Sequence, residues 1–382
     1  MTVTAPAGFA AAGVAAGLKS SGAADLALVV NRGPRRSAAA VFTSNRAQAN
    51  PILWSQQVIA DGEVAAIVLN SGGANCFTGA QGFQTTHATA EAVAEALHVG
   101  AGDVLVCSTG LIGEQLDRDA LMRGVAAAAA GLGPHGDDAA RAIMTTDSVP
   151  KTVVIEGPGY AIGGMAKGAG MLAPGLATML VVLTTDADLP AAELDRALRA
   201  ATRVSFDRLD SDGCMSTNDQ VTLMASGASG VTPETHAFTL LLVDACMSLA
   251  LQLQADAEGA SHDIQIHVTG AATEDEAVEV GRAVARNNLF KAAVFGNDPN
   301  WGRVLAAIGT TKAAFDPYAV DVSMNGVRVC HAGAPDRPRD DVDLSGRTVV
   351  VEIELHAGAE RATIYTNDLT HDYVHENSAY AS

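Results

Sequence analysis

The chain has 382 residues, 48% hydrophobic and 18% charged, with a formal net charge of −19 and a pI near 4.8. That length and apolar content allow one large or two moderate domains and exclude a disordered chain. The acidic balance, with no basic stripe, excludes nucleic acid as a partner, because phosphate binding draws on Lys and Arg to displace counterions. The charge reads instead as a solvated surface. Aromatic residues make up only 4%, so Val, Ile, Leu and Ala must fill the core.

Taken in chain order, apolar and β-branched runs predict strands over 24–31, 38–42 and 65–69, then a helix over 82–97. A strand over 104–107, a helix over 119–132 and strands over 152–155 and 178–183 follow. Helices over 191–201 and 237–254, a strand over 263–269, a helix over 274–287 and a strand over 348–355 complete the set. Thr273 with Glu276 forms a capping box, and Thr232-Pro233 suits the approach to the helix over 237–254. Mixing along the whole length predicts an α/β or α+β fold, with no repeat and no linker-like tract. The glycine-rich stretch 163–170, with Lys167 as its single cation, reads as a flexible loop feeding a buried strand that opens with Thr178.

Several signals are weighed and set aside. The apolar, Ala-rich start over 1–21 lacks the leading Lys or Arg of a signal peptide. No apolar run is expected to reach the roughly 18 residues of a membrane helix. Cys76, Cys107, Cys214, Cys246 and Cys330 are odd in number and widely spaced, with no C-x-x-C. They imply neither a disulfide framework nor a zinc site, and they fit a reducing cytoplasm. The stretch 157–163 is one residue too long for a dinucleotide fingerprint, and Lys167-Gly168 breaks a phosphate-loop pattern. The stretch 208–213 puts Arg where a calcium loop needs its first ligand. His371 and His375 are four apart, but their neighbours Asp372, Tyr373 and Asn377 read as lying outside a helix, so no metal is expected.

Thr178 is the residue with chemistry to offer. A threonine hydroxyl needs an adjacent base, and an N-terminal threonine carries one in its own α-amine, whose reference pKa is near 8. An internal threonine gains that amine only if the preceding peptide is cut. Gly175-Leu176-Ala177 are small enough to leave room for the hydroxyl to attack the Ala177 carbonyl. The plain alternative is a threonine that merely begins a strand.

The segment 167–180, Lys-Gly-Ala-Gly-Met-Leu-Ala-Pro-Gly-Leu-Ala-Thr-Met-Leu, closely resembles the cleavage segment of ornithine acetyltransferases, also called bifunctional glutamate N-acetyltransferases. Companion stretches of the same family occur in the same order over 70–75, 108–113, 144–147, 212–219, 254–259, 296–303 and 376–380, so the resemblance spans essentially the whole chain. It implies a layered αββα-type sandwich shared with self-processing hydrolases. It also implies cleavage between Ala177 and Thr178, giving an α chain (1–177) and a β chain (178–382) that form one active site within an α₂β₂ heterotetramer. Thr178 would be the nucleophile, with Thr109 and Gly110 as the oxyanion hole. Thr145, Lys167, Thr178, Glu258, Asn377 and Ser382 would bind substrate. Lys167 suits a substrate carboxylate, and Glu258 an ammonium. The implied reaction moves acetyl from N2-acetylornithine to glutamate in arginine biosynthesis, in the cytoplasm, without cofactor, metal, nucleic acid or membrane; acetyl-CoA is an open second donor. Cys214 departs from the smaller residue usual at its position, and 330–341 reads as loop. Two other readings remain: a self-processing amidohydrolase or aminopeptidase, or paralogue with a shifted acceptor, and a non-catalytic binding protein.

Overall fold

The computed structural model describes residues 2–173 and 179–379, so Ala177, Thr178 and Ser382 lie outside the described residues. The strands form three sheets. The first holds β1 (Phe9–Val14), β2 (Leu26–Asn31), β4 (Ala66–Asn70) and β5 (Val104–Ser108), in the order β1-β2-β4-β5. The second holds β3 (Ser37–Phe42), β6 (Lys151–Gly157), β7 (Tyr160–Lys167), β8 (Leu180–Thr185) and β9 (Gln220–Ala225), in the order β3-β9-β8-β7-β6. The third holds β10 (Asp263–Ala271), β11 (Asp321–Met324), β12 (Val327–His331), β13 (Ala334–Pro335), β14 (Thr348–Glu354) and β15 (Glu360–Asn367), in the order β13-β12-β11-β14-β10-β15.

The first two sheets stack face to face, because their strands are buried on both sides and neither face can meet water. Ala27, Val29, Ile67 and Leu69 of the first meet Met165, Val182 and Met224 of the second in one apolar cluster. Val58 of α1 (Asn50–Val58) and Ala139 and Ala140 of α4 (Gly136–Ala142) join it. The outer face of the first sheet, with Leu28, Val68 and Val106, is covered by α2 (Gly79–Leu97) and α3 (Arg118–Ala130). The outer face of the second, with Val181, Leu183 and Leu223, is covered by α5 (Ala191–Val204) and α6 (Thr235–Ala255). The result is the α-β-β-α layering that the sequence resemblance implies. The third sheet, not foreseen as a separate layer, packs one face on α7 (Glu274–Ala285), α8 (Asn288–Phe295) and α9 (Trp301–Ile308) through Val280, Phe290 and Val304. A last helix, α10 (His371–Ala379), ends the described chain.

Four expectations are corrected. The glycines of 163–167 serve close approach rather than flexibility, because this stretch is the fully buried end of β7. A Cβ on Gly163 would come within 2.2 Å of the Thr2 carbonyl oxygen, and one on Gly164 within 2.9 Å of Leu183 and Val153 side chains. Second, α6 is long and apolar enough to cross a membrane by length and composition, contrary to the sequence reading. One stripe of it, from Phe238 through Leu242 and Leu249 to Leu253, packs into the sheet core. Third, His371 and His375 do lie on a helix, α10, where the His371 ring packs edge-on against Phe295; no metal-holding group occurs among the described residues. Fourth, Cys330 belongs to β12 of the third sheet, with its side chain buried in that sheet's core, rather than to a loop.

Candidate active site

The parallel strands β4 and β5 end together, at Asn70 and Ser108. Asn70 donates from Nδ2 to Ser108 Oγ at 2.6 Å, and the Thr109 N–H donates to the Asn70 carbonyl at 3.0 Å. The Gly73 N–H closes the turn onto the Thr109 carbonyl at 2.9 Å. Asn218, just before β9, reaches both strand ends, donating from Nδ2 to the Ala74 carbonyl at 2.6 Å and the Ser108 carbonyl at 2.8 Å. Three motifs distant in sequence are thus held at one place. Gly110 sits at φ +127°, and a Cβ there would lie 2.8 Å from Gly73 N. Only glycine combines that backbone with that approach. Among the described residues the Gly110 N–H has no recorded acceptor. The Thr109 N–H is committed to Asn70, so what Thr109 can offer is its hydroxyl. That hydroxyl accepts from Lys167 Nζ at 3.2 Å, which turns its own proton elsewhere.

Lys167 ends β7 at the register partner of Leu180, the first residue of β8, and is 1% exposed. Burial, the largest effect, and the nearby Lys151 ammonium hold its pKa below the ordinary value, against the pull of Asp147, Asp219 and Glu258. Asp147 is the hub beneath it. It accepts from Lys151 Nζ at 2.5 Å, from the Gly168 N–H at 2.7 Å and from the Thr145 N–H at 2.9 Å. Burial pushes this carboxyl up, but Lys167, Lys151 and the Gly168 N–H together outweigh it and hold the acid below its usual range. Lys151, fully buried, also pairs with Asp256 at 2.5 Å. This network fixes both the 144–147 loop and the turn after Lys167.

Glu258 faces the same turn. Its carboxylate accepts from Thr146 Oγ1 at 2.7 Å and from Asn377 Nδ2, on the exposed side of α10, at 2.9 Å. Its backbone N–H donates to the Ala169 carbonyl at 3.0 Å. A cavity of about 510 Å³ opens beside it, lined in part by Thr146, Asp256, Glu258, His371 and Glu376. Thr145 is present only through its backbone contact to Asp147, whereas the neighbouring Thr146 supplies the hydroxyl to Glu258.

The approach to β8 is anchored at Met179. The Met179 N–H, which belongs to the peptide following Thr178, donates to Asp219 Oδ1 at 3.0 Å. Asp219 is fully buried, and burial, opposed by that N–H, pushes its pKa well above the usual carboxylate range. Sequence reading named neither Asp219 nor Lys151, Asp147 or Thr146 as site residues. Asp147 and Thr146 lay within the 144–147 motif and Asp219 within the 212–219 motif, and Asp147 stands four residues before Lys151, which was the available signal.

Lys167, Thr109, Gly110, Glu258 and Asn377 are therefore gathered around the start of β8, and acyl-transfer chemistry suits such a set: a rigid hydroxyl and amide N–H for a developing oxyanion, with one cation and one anion for an amino-acid ligand. Known proteins resemble the chain as a whole. A protein of Streptomyces coelicolor described as arginine biosynthesis bifunctional protein ArgJ is 64% identical over 383 residues, covering all of both chains. One of Mycobacterium leprae with the same description is 55% identical over all of this chain and 96% of its own. A solved chain of ornithine acetyltransferase complexed with ornithine, from Mycobacterium tuberculosis, shares 56% identity over 47% of this chain and 96% of its own, with a TM-score of 0.45. The ArgJ family model matches residues 10–382, and with full-length relatives at such identity this chain belongs to the ArgJ family.

Proposed function

We propose that this chain cuts itself between Ala177 and Thr178 and then transfers acetyl from N2-acetylornithine to glutamate, serving arginine biosynthesis. The observation that carries the reading is the Lys167–Thr109 contact, with the neighbouring Gly110 N–H, beside the strand that follows Thr178, in a chain of the ArgJ family. In self-cleavage the Thr178 hydroxyl attacks the Ala177 carbonyl, the peptide bond becomes an ester, and water releases residues 1–177, leaving a free α-amine on Thr178. In transfer, that amine takes the hydroxyl proton while Oγ attacks the acetyl carbonyl carbon of N2-acetylornithine. The oxyanion receives the Thr109 O–H and Gly110 N–H. The carbon–nitrogen bond breaks, the proton passes to the departing ornithine nitrogen, and acetyl remains as an ester on Thr178. The neutral α-amine of glutamate attacks the ester, and Thr178 Oγ recovers its proton as N-acetylglutamate leaves.

Glu258 is the acceptor for a substrate ammonium and Lys167 a cation for a carboxylate, with Thr145, Asn377 and Ser382 completing the substrate contacts. The second sheet draws β3, β6 and β7 from one side of the cut and β8 and β9 from the other, so the two chains share a core and stay together after cleavage. Two α and two β chains form the working assembly, in the cytoplasm, with acetyl-CoA as a second donor. Purified protein given N2-acetylornithine and glutamate should form N-acetylglutamate, and Thr178→Ala should abolish it. Acetate released at the same rate with and without glutamate would instead mark a hydrolase.

A further inference from the structure

A second cavity, of about 200 Å³, shares Glu258 with the first and is lined in part by Ala169, Asp212, Lys291, Asp368 and Tyr373. Lys291, on α8, is 5% exposed. Its Nζ donates to the Ser211 carbonyl; among the described residues no carboxylate forms a close ion pair with it, and Asp212, Asp210 and Asp368 attract it through space without outweighing its burial. The acids around it are committed elsewhere. Asp212 accepts from the Met171 and Cys214 N–H groups at 2.7 and 3.0 Å. Asp368 accepts from the Ser261 and His262 N–H groups and from His262 Nδ1, and Asp210 from Arg286. A buried ammonium with one carbonyl as its only recorded acceptor bears a desolvation cost that an anion in the cavity would offset.

We propose that this cavity is a subsite for a carboxylate of the amino-acid substrate, anchored by Lys291. The inference rests on the acetyl-transfer reading, because that reading brings ornithine and glutamate to Glu258. Glu258 and Lys291, which both line this cavity, offer one acceptor for an ammonium and one donor for a carboxylate, the two charges every amino acid carries. Glutamate carries two carboxylates, so Lys291 takes one while Lys167, hydrogen-bonded to Thr109, faces the other.

Titration calorimetry with L-glutamate, L-ornithine and putrescine, the last lacking any carboxylate, tests this on wild type and Lys291→Met. The variant should bind glutamate roughly ten- to a hundredfold more weakly, the loss of a charge-assisted hydrogen bond, while putrescine binds as before and reports an intact site. A parallel loss for ornithine places the α-carboxylate on Lys291; an unchanged ornithine affinity places the side-chain carboxylate of glutamate there. Lys291→Arg, which keeps the charge, should retain more glutamate affinity than Lys291→Met. Unchanged glutamate binding, or equal losses for glutamate and putrescine, overturns the proposal. Wild-type protein that binds glutamate through Lys291 yet transfers no acetyl group would sink the transfer reading and leave this subsite standing.

Discussion

Gly110→Ala is the substitution whose cost the structure specifies most closely. At φ +127° an alanine adopts a backbone that is nearly glycine's alone, which costs of order 1–3 kcal/mol. Its Cβ would also lie 2.8 Å from Gly73 N and 2.9 Å from Gly73 Cα. Those are backbone atoms, and Gly73 cannot retreat without stretching its hydrogen bond to the Thr109 carbonyl. Overpacking of this kind adds about 1–3 kcal/mol. If the turn relieves both by rotating the Gly110 peptide, the N–H proposed to receive the oxyanion is lost and transfer should fall by about 10²–10³. Urea unfolding and N-acetylglutamate formation, measured on one preparation, check both effects. A variant that loses less than about 0.5 kcal/mol and keeps full activity would refute the claim that this glycine is both strained and an oxyanion donor.

Lys151→Met removes the cation that pairs with both Asp147 and Asp256 and should cost about 3–5 kcal/mol in urea unfolding; a loss under about 1 kcal/mol would show the network to be weakly coupled. Asp219→Ala removes the acceptor for the Met179 N–H and should slow self-cleavage, read by intact mass against time, whereas Asp219→Asn keeps that acceptor and resembles the uncharged acid that burial favours. Equal cleavage rates in wild type and Asp219→Ala would discount this anchor. Asp210 is pushed up to about 6 by burial, despite Arg286 at 2.8 Å, from an ordinary 3.8. An acid raised in the folded state stabilises the fold below its unfolded pKa and loses that contribution as pH rises through the folded value. Between about pH 4 and about pH 7 the wild type should therefore lose about 3 kcal/mol more stability than Asp210→Asn. The same pH dependence in both would contradict it.

The sheet strands were legible because buried β-branched runs such as 66–70 and 104–108 have no other use in a chain of this composition. The end of β7 was not, because Gly163 and Gly164 carry no apolar signal; their role is set by Thr2, Val153 and Leu183, distant in sequence. The helix α10 was misread because none of its residues is buried, leaving no periodic apolar face. At the site, Thr109, Gly110, Lys167 and Glu258 came from ordered motifs. Asp219, although it closes the 212–219 motif, and Lys291 were missed as site residues because the importance of each charge comes from its burial. Thr146, which was not named, contacts Glu258, while its named neighbour Thr145 does not, because adjacent residues of a loop point different ways.

The most direct test of the central claim is the intact mass of the purified, denatured protein before and after N2-acetylornithine. Cleavage before Thr178 divides 38.9 kDa, in proportion to residues 1–177 and 178–382, into pieces of about 18 and about 21 kDa, the heavier beginning Thr-Met-Leu. The account predicts both masses and, with substrate, a gain of one acetyl group on the heavier piece alone. A single species of 38.9 kDa that persists on incubation and takes up no acetyl group would contradict it.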